Sequence, residues 1–173
     1  MKEGLVALTA FQVASLRIIS SGLVLLPVAY KSFKQIPGNK IFFTFMSGVL
    51  GSLLPAYLFC IAEQGIDSSL AGTLNSLTPI FVIIIGAVFF HSKTETHKII
   101  GILVAFSGSV FLFFSQPGFS HNKNIFYVLL VVLATMMYGI NVNMVHRYLN
   151  HIPSIQIAAL ALSLNAIPAL VVL

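Results

Sequence analysis

Charge is scarce in this sequence. Only 8% of its 173 residues are Asp, Glu, Lys or Arg, against 58% hydrophobic residues and a mean hydropathy of +1.00. A water-soluble domain carries roughly 25% charged residues, so an integral membrane protein is expected. Acids are the rarest charges: Glu3, Glu63, Asp67 and Glu95, all in loops or at the chain start. No carboxylate is therefore expected inside a membrane span. Cysteine occurs once, as Cys60 in an apolar run, which excludes an intramolecular disulfide and a zinc cluster. The pattern of a cleavable signal peptide is not expected at this start: Met1-Lys2-Glu3 leads into a long apolar segment with no A-x-A site. No nucleophile–base pair, glycine-rich phosphate loop or pair of membrane carboxylates is found. Their lack argues against a membrane-embedded enzyme, an intramembrane protease and an ATP-driven pump. His91 and His97 flank Glu95, but two loop histidines and one acid fall short of a compact metal cage. No metal and no cofactor are expected. The net charge of +5 would suggest nucleic acid in a soluble protein. Here the charges sit in short loops and speak of membrane orientation, so the expected partner is the bilayer and not nucleic acid.

What is abundant is apolar sequence. Six spans can be read: Ala10–Tyr30, Ile41–Ala62, Leu70–Phe90, Ile99–Ser115, Ile125–Val145 and Ile155–Leu173. The second, third and fifth are long enough to cross a bilayer without a charge. Their connections are too short for an extramembrane domain. The fold class is all-α, a polytopic transmembrane helical bundle.

The third span organises the rest. Its 21 uncharged residues make about 31 Å of helix. Up to Pro79 it carries Gly72, Thr73, Asn75, Ser76 and Thr78; beyond Pro79 it is almost wholly apolar. Gly72, Asn75, Ser76 and Pro79 share one helix face. Proline supplies no N–H and crowds the carbonyl of Asn75, which in lipid then needs another helix or a water-filled cavity.

Lysine and arginine set the orientation. Lys31, Lys34, Lys40, Lys93, Lys98 and Arg147 fall in loops on one side; Lys2 and Lys123 fall on the other, with Glu63 and Asp67. The first side is expected in the cytoplasm, so the N-terminus lies outside. A shift of 144 residues lays FQVASL at 11–16 on IQIAAL at 155–160, matching Gln12 with Gln156, Ala14 with Ala158 and Leu16 with Leu160. This pairs the first span with the sixth. The odd step of five spans reverses direction, as in an inverted-topology repeat. On that pairing the chain is a window onto two five-helix repeats, lacking the first helix and the last three.

The stretch Ala62–Phe114, with Leu77-Thr78-Pro79, a basic loop and Gly101 to Gly108, resembles the EamA domain of the drug/metabolite transporter superfamily. Ala10–Ile19, with Arg17, looks like that family's second helix. The resemblance implies ten helices in two inverted repeats, six of them present here. Residues 1–115 would be the first repeat without its first helix, and residues 125–173 the first two helices of the second. One departure stands out. Many members carry Gly-Glu and a basic residue after the proline-bearing helix, where this chain has His91-Ser92-Lys93.

Asn75, Ser76, Thr78 and Pro79 are the leading substrate-binding candidates, since a polar face beside a helix break suits a site at the midplane. The same face could equally serve helix packing through Gly72 and Ser76. Arg17 could attract anions at a cavity mouth or be structural, with helix carbonyls, Glu63 or Asp67 as partners. Tyr138 and Asn141, with Thr135, share a face of the fifth span and could complete the cavity or form interhelical hydrogen bonds, as could Ser163 and Asn165 in the sixth. Pro55 would free the carbonyl of Gly51; Ser47, Gly48, Gly51 and Ser52 read as a close-approach face, as do Gly101, Ala105 and Ser109.

The expected function is a secondary transporter moving a small metabolite across the bacterial cytoplasmic membrane by alternating access, and not an enzyme. Five spans would line the path, the fourth packing outside them. The alternative is a non-transporting helical scaffold or an inactive remnant of a transporter gene, for which paired chains could supply lost walls as a homo-oligomer. With the inverted twin of the third span absent, residues Asn75 to Pro79 would form half a site.

Overall fold

A computed structural model describes residues 8–91, 96–114 and 125–173. Lys2, Glu3, Lys93, Glu95 and Lys123, and the side chains of Lys98, Ala105 and Ser109, lie outside the described residues. All regular structure among the described residues is helical: α1 (Ala10–Gln35), α2 (Gly38–Gly48), a π-helical turn (Val49–Leu53), α3 (Leu54–Ala62), α4 (Ser68–Asn75), α5 (Thr78–Phe90), α6 (Thr96–Phe114), α7 (Ile125–Tyr148) and α8 (Ser154–Val172).

Five helical stretches are long and apolar enough to cross a membrane: Ala10–Gln35, Gly38–Ala62, Ser68–Phe90, Ile125–Tyr148 and Ser154–Val172. Within α6 a shorter apolar run, Ile99–Gly108, is found. The first span is longer than its apolar run suggested. A capping box starts it, Thr9 Oγ1 accepting from the Gln12 amide at 3.2 Å while Gln12 Oε1 accepts from the Thr9 amide at 3.1 Å. It continues through Lys31 and Lys34 to Gln35. The third span ends at His91, which closes α5 in the left-handed conformation, φ 50° and ψ 33°. Glycine adopts that conformation without a steric penalty. The glycine expected here thus has a backbone reason, and His91 holds its place at some strain.

The outer surface is what lipid requires. Val24, Phe89, Phe111 and Val171 are between 74% and 85% exposed, which suits a hydrocarbon surround and no aqueous one. Inside, contacts are made by small residues: Ala14, Cys60, Ala62, Ala134, Ala159 and Ala169 are completely buried. Lipid tails are as apolar as leucine, so close backbone approach and hydrogen bonds must hold helices together. α1 and α8 pack antiparallel along much of their length. The Gln156 amide donates to Gln35 Oε1 at 2.6 Å at one end, and Ser163 Oγ donates to the Gly22 carbonyl at 3.0 Å midway. A Cβ on Gly22 would lie 2.9 Å from that of Ala166. α7 packs on α3 and α5, α8 on α1 and α2, and α6 lies at the edge against α4 and α5.

Three asparagines lock this frame, each laid on a glycine of a neighbouring helix. Asn143 donates to the Val82 carbonyl of α5 at 2.8 Å and lies over Gly86; Asn165 donates to the Phe45 carbonyl of α2 at 3.2 Å and lies over Gly48. Asn141 lies over Gly51 in the π turn. Gly72, Gly101 and Gly108 behave differently: a Cβ at each meets nothing within 4 Å, so the close-approach face read on the fourth span has no neighbour at its glycines among the described residues.

A Gly86→Val substitution should therefore cost about 1–3 kcal/mol by overpacking, because a Cβ there would sit 2.6 Å from Asn143 Oδ1. Gly72→Val should fall well short of that loss. Thermal midpoints of the two variants in detergent compare them directly.

Candidate functional site

Two spans are broken by proline, and both breaks open on one cavity. In the second span Pro55 cannot donate to the carbonyl of Gly51. The helix widens there into the π turn, with the Leu54 amide reaching five residues back to Val49. Such turns recur at functional sites. In the third span Pro79 cannot donate to the carbonyl of Asn75. The helix tightens instead: Ser76 donates to Thr73 at 3.1 Å and Leu77 to Leu74 at 3.0 Å, and a new helix starts at Thr78. The residues four before each proline, Gly51 and Asn75, both line a cavity of about 310 Å³.

α1 adds Arg17, Ile18 and Ser21 to its wall; the second span adds Ser52, Ala56 and Phe59; α7 adds Tyr138 and α8 adds Leu162. The rings of Phe59 and Tyr138 stack with centroids 6.3 Å apart. Among the described residues Arg17 is the charged residue of the lining, and none of the lining side chains is acidic. Its backbone carbonyl accepts from Ser20 Oγ at 3.1 Å and Ser21 Oγ at 2.7 Å. The volume sits at the lower end for small-molecule pockets, roughly 300–1,000 Å³. It suffices for roughly ten waters at about 30 Å³ each.

Three of the residues expected at a site, Arg17, Asn75 and Tyr138, thus meet in one wall. Ser76, Thr78 and Pro79 shape the break behind Asn75 without lining the cavity. The freed carbonyl of Asn75 is met locally, by Thr78 Oγ1 at 2.8 Å, and Ser76 Oγ donates to Thr73 at 2.6 Å. Asn141 stands behind Gly51, and its Oδ1 is buried without a hydrogen-bond partner among the described residues. Thr135 turns its hydroxyl back onto the Val132 carbonyl at 2.7 Å. Ser163 and Asn165 make the interhelical bonds described above. Gly51, Ser52, Ser21 and Phe59 had not been singled out as a site. The signal for the first two was in the sequence: Pro55 stands to Gly51 as Pro79 does to Asn75. No cluster of three or more His, Cys, Asp or Glu that could hold a metal occurs among the described residues.

Comparison with known proteins gives three findings. The EamA-like transporter family matches residues 1–114. An archaeal protein from Archaeoglobus fulgidus, named an uncharacterized transporter, is 29% identical over 161 residues, 93% of this chain and 56% of its own length. A WAT1-related protein of Arabidopsis thaliana is 27% identical over 122 residues, 64% of this chain and 33% of its own. The chain thus spans about half the length of the first relative and a third of the second. No solved structure matches it.

Thr78→Val removes the donor that covers the Asn75 carbonyl. Cavity water can take over that carbonyl, so the loss should stay near 1 kcal/mol and below that of a dry, unsatisfied group, about 1–3 kcal/mol. Unfolding of the variant in mixed micelles measures it.

Proposed function

The chain belongs to the EamA-like transporter family, and from that premise we propose that it is a multi-pass secondary carrier for a small polar metabolite. The observation that carries this reading is the shared cavity of the two proline breaks. Backbone that leaves α-helical geometry at membrane depth is tolerated where it lines a cavity, and carriers place substrate at such discontinuities. Two broken spans facing one pocket of metabolite size fit a binding site better than a packing defect. The residues we assign to it are Arg17, Asn75 and Tyr138 in the wall, with Ser76, Thr78, Pro79 and Asn141 shaping it from behind. A guanidinium in the wall favours solutes that carry an acidic group over cationic ones.

In this reading α6 counts as a sixth span, at the edge of the bundle. In the same reading the chain sits in a bacterial inner membrane, and the side richer in Lys and Arg, with Gln35, Lys40, His91 and Arg147, is its cytoplasmic face. The first and sixth spans would be inverted counterparts, a relation supported by the antiparallel packing of α1 on α8. Alternating access would rock one set of spans about the frame held by the asparagine–glycine contacts.

Proteoliposomes containing the chain and loaded with a mixture of small metabolites test the proposal. Mass spectrometry of the outer medium should find at least one solute leaving faster than from protein-free vesicles. Arg17→Ala and Asn75→Leu should each slow that solute, roughly 10-fold or more if a charged hydrogen bond of about 1.5–3 kcal/mol is lost. Insertion and folding should be unchanged. Efflux indistinguishable from empty vesicles for every solute would reject the carrier reading.

A further inference from the structure

The four acids read as loop or chain-start residues, yet Glu63 is taken inside. It follows α3 directly as its C-cap, is only 7% exposed, and its Oε2 has no hydrogen-bond partner among the described residues. A buried carboxylate oxygen left without a hydrogen bond is unfavourable. This one also stands at the negative end of a helix, where a cation is favoured and an anion is not. Both penalties disappear if a cation sits beside it.

Its position suits such a role. Ala56, Phe59 and Glu63 follow at i, i+3 and i+7 on one helix face, and the first two line the cavity. Glu63 therefore stands one turn beyond Phe59 on that helix face, outside the cavity lining itself. The charged and titratable groups around it come from several elements. Arg17 of α1 lines the cavity, and Cys60, one turn below Glu63 on α3, is completely buried. Tyr57 of α3 is engaged with Ser15 of α1 at 2.7 Å. The ring of Tyr127, from α7, packs against Gly65, and Asp67 stands at the N-cap position of α4, its backbone carbonyl accepting from the Ala71 amide at 2.9 Å. A divalent metal needs several oxygen ligands, and the described residues hold no such group. A lone carboxylate suits a single positive charge.

We propose that Glu63 is a binding site for a monovalent cation, a proton or a sodium ion, reached from the side of the membrane at which α3 ends. Binding neutralises the carboxylate, as an acid O–H in one case and an ion contact in the other, and breaks no other bond. Its further role, as the coupling ion of the carrier, rests on the function proposed above.

Infrared difference spectroscopy of the chain in lipid films tests cation binding without any transport substrate, so its outcome is separate from that of the efflux assay. One arm adds sodium at fixed pH and the other lowers pH at fixed sodium. A carboxylate band that responds to sodium assigns a sodium site; conversion to a protonated-carboxyl band in the pH arm alone assigns a proton site. In either case Glu63→Gln should remove the signal, Glu63→Asp should keep it at a shifted frequency, and Asp67→Asn should leave it in place. The proposal is overturned if the wild-type chain responds in neither arm. It is equally overturned if Glu63→Asp gives the wild-type band unshifted or Glu63→Gln leaves it intact.

Discussion

A backbone carbonyl that loses its donor inside a bilayer has nowhere to turn except to protein or to enclosed water. Two prolines impose that condition on this chain, at 55 and 79, and much of the architecture answers it. The two answers differ. Around Pro55 the helix widens into a π turn and presents Gly51 and Ser52. Around Pro79 it tightens, and Thr78 covers the carbonyl with its own hydroxyl. Both leave irregular backbone on the wall of one cavity, with Arg17 and Tyr138 opposite.

The frame around that cavity obeys a different rule. With no hydrophobic gain from bringing helices together in lipid, association depends on close approach and on hydrogen bonds worth about 0.6 kcal/mol each on average. Gly22 against Ala166 gives the approach between α1 and α8. Asparagines on glycines fix α7 to α5 and α8 to α2, and each glycine is needed because a Cβ would enter the amide. The chain thus joins a tightly seated frame to two interrupted helices.

The spans were legible because long apolar runs have few alternative fates, and five of them form helices of membrane-crossing length at or near the expected limits. The break at Pro79 followed from residue chemistry alone, whereas Arg17, Asn75 and Tyr138 were separate candidates that only the fold brings to one cavity. Other features depended on three-dimensional neighbours. Ser52 and Gly51 looked like a packing face because small residues serve contacts and cavities alike. The Asn75 carbonyl was expected to find a distant partner, but a threonine one residue before proline reaches it first. Glu63 looked like a loop acid because its burial comes from the folded surroundings, which hydropathy does not register.

The central claim is that the two proline breaks face the same water-filled cavity. Deuterium-modulated electron spin echo measures it directly, on spin labels placed singly at Ser52, Asn75 and the lipid-facing Val88 of the chain in a D2O-hydrated bilayer. Strong deuterium modulation at 52 and 75, with little at 88, is the predicted result. Modulation at 52 and 75 as weak as at 88 would contradict the account.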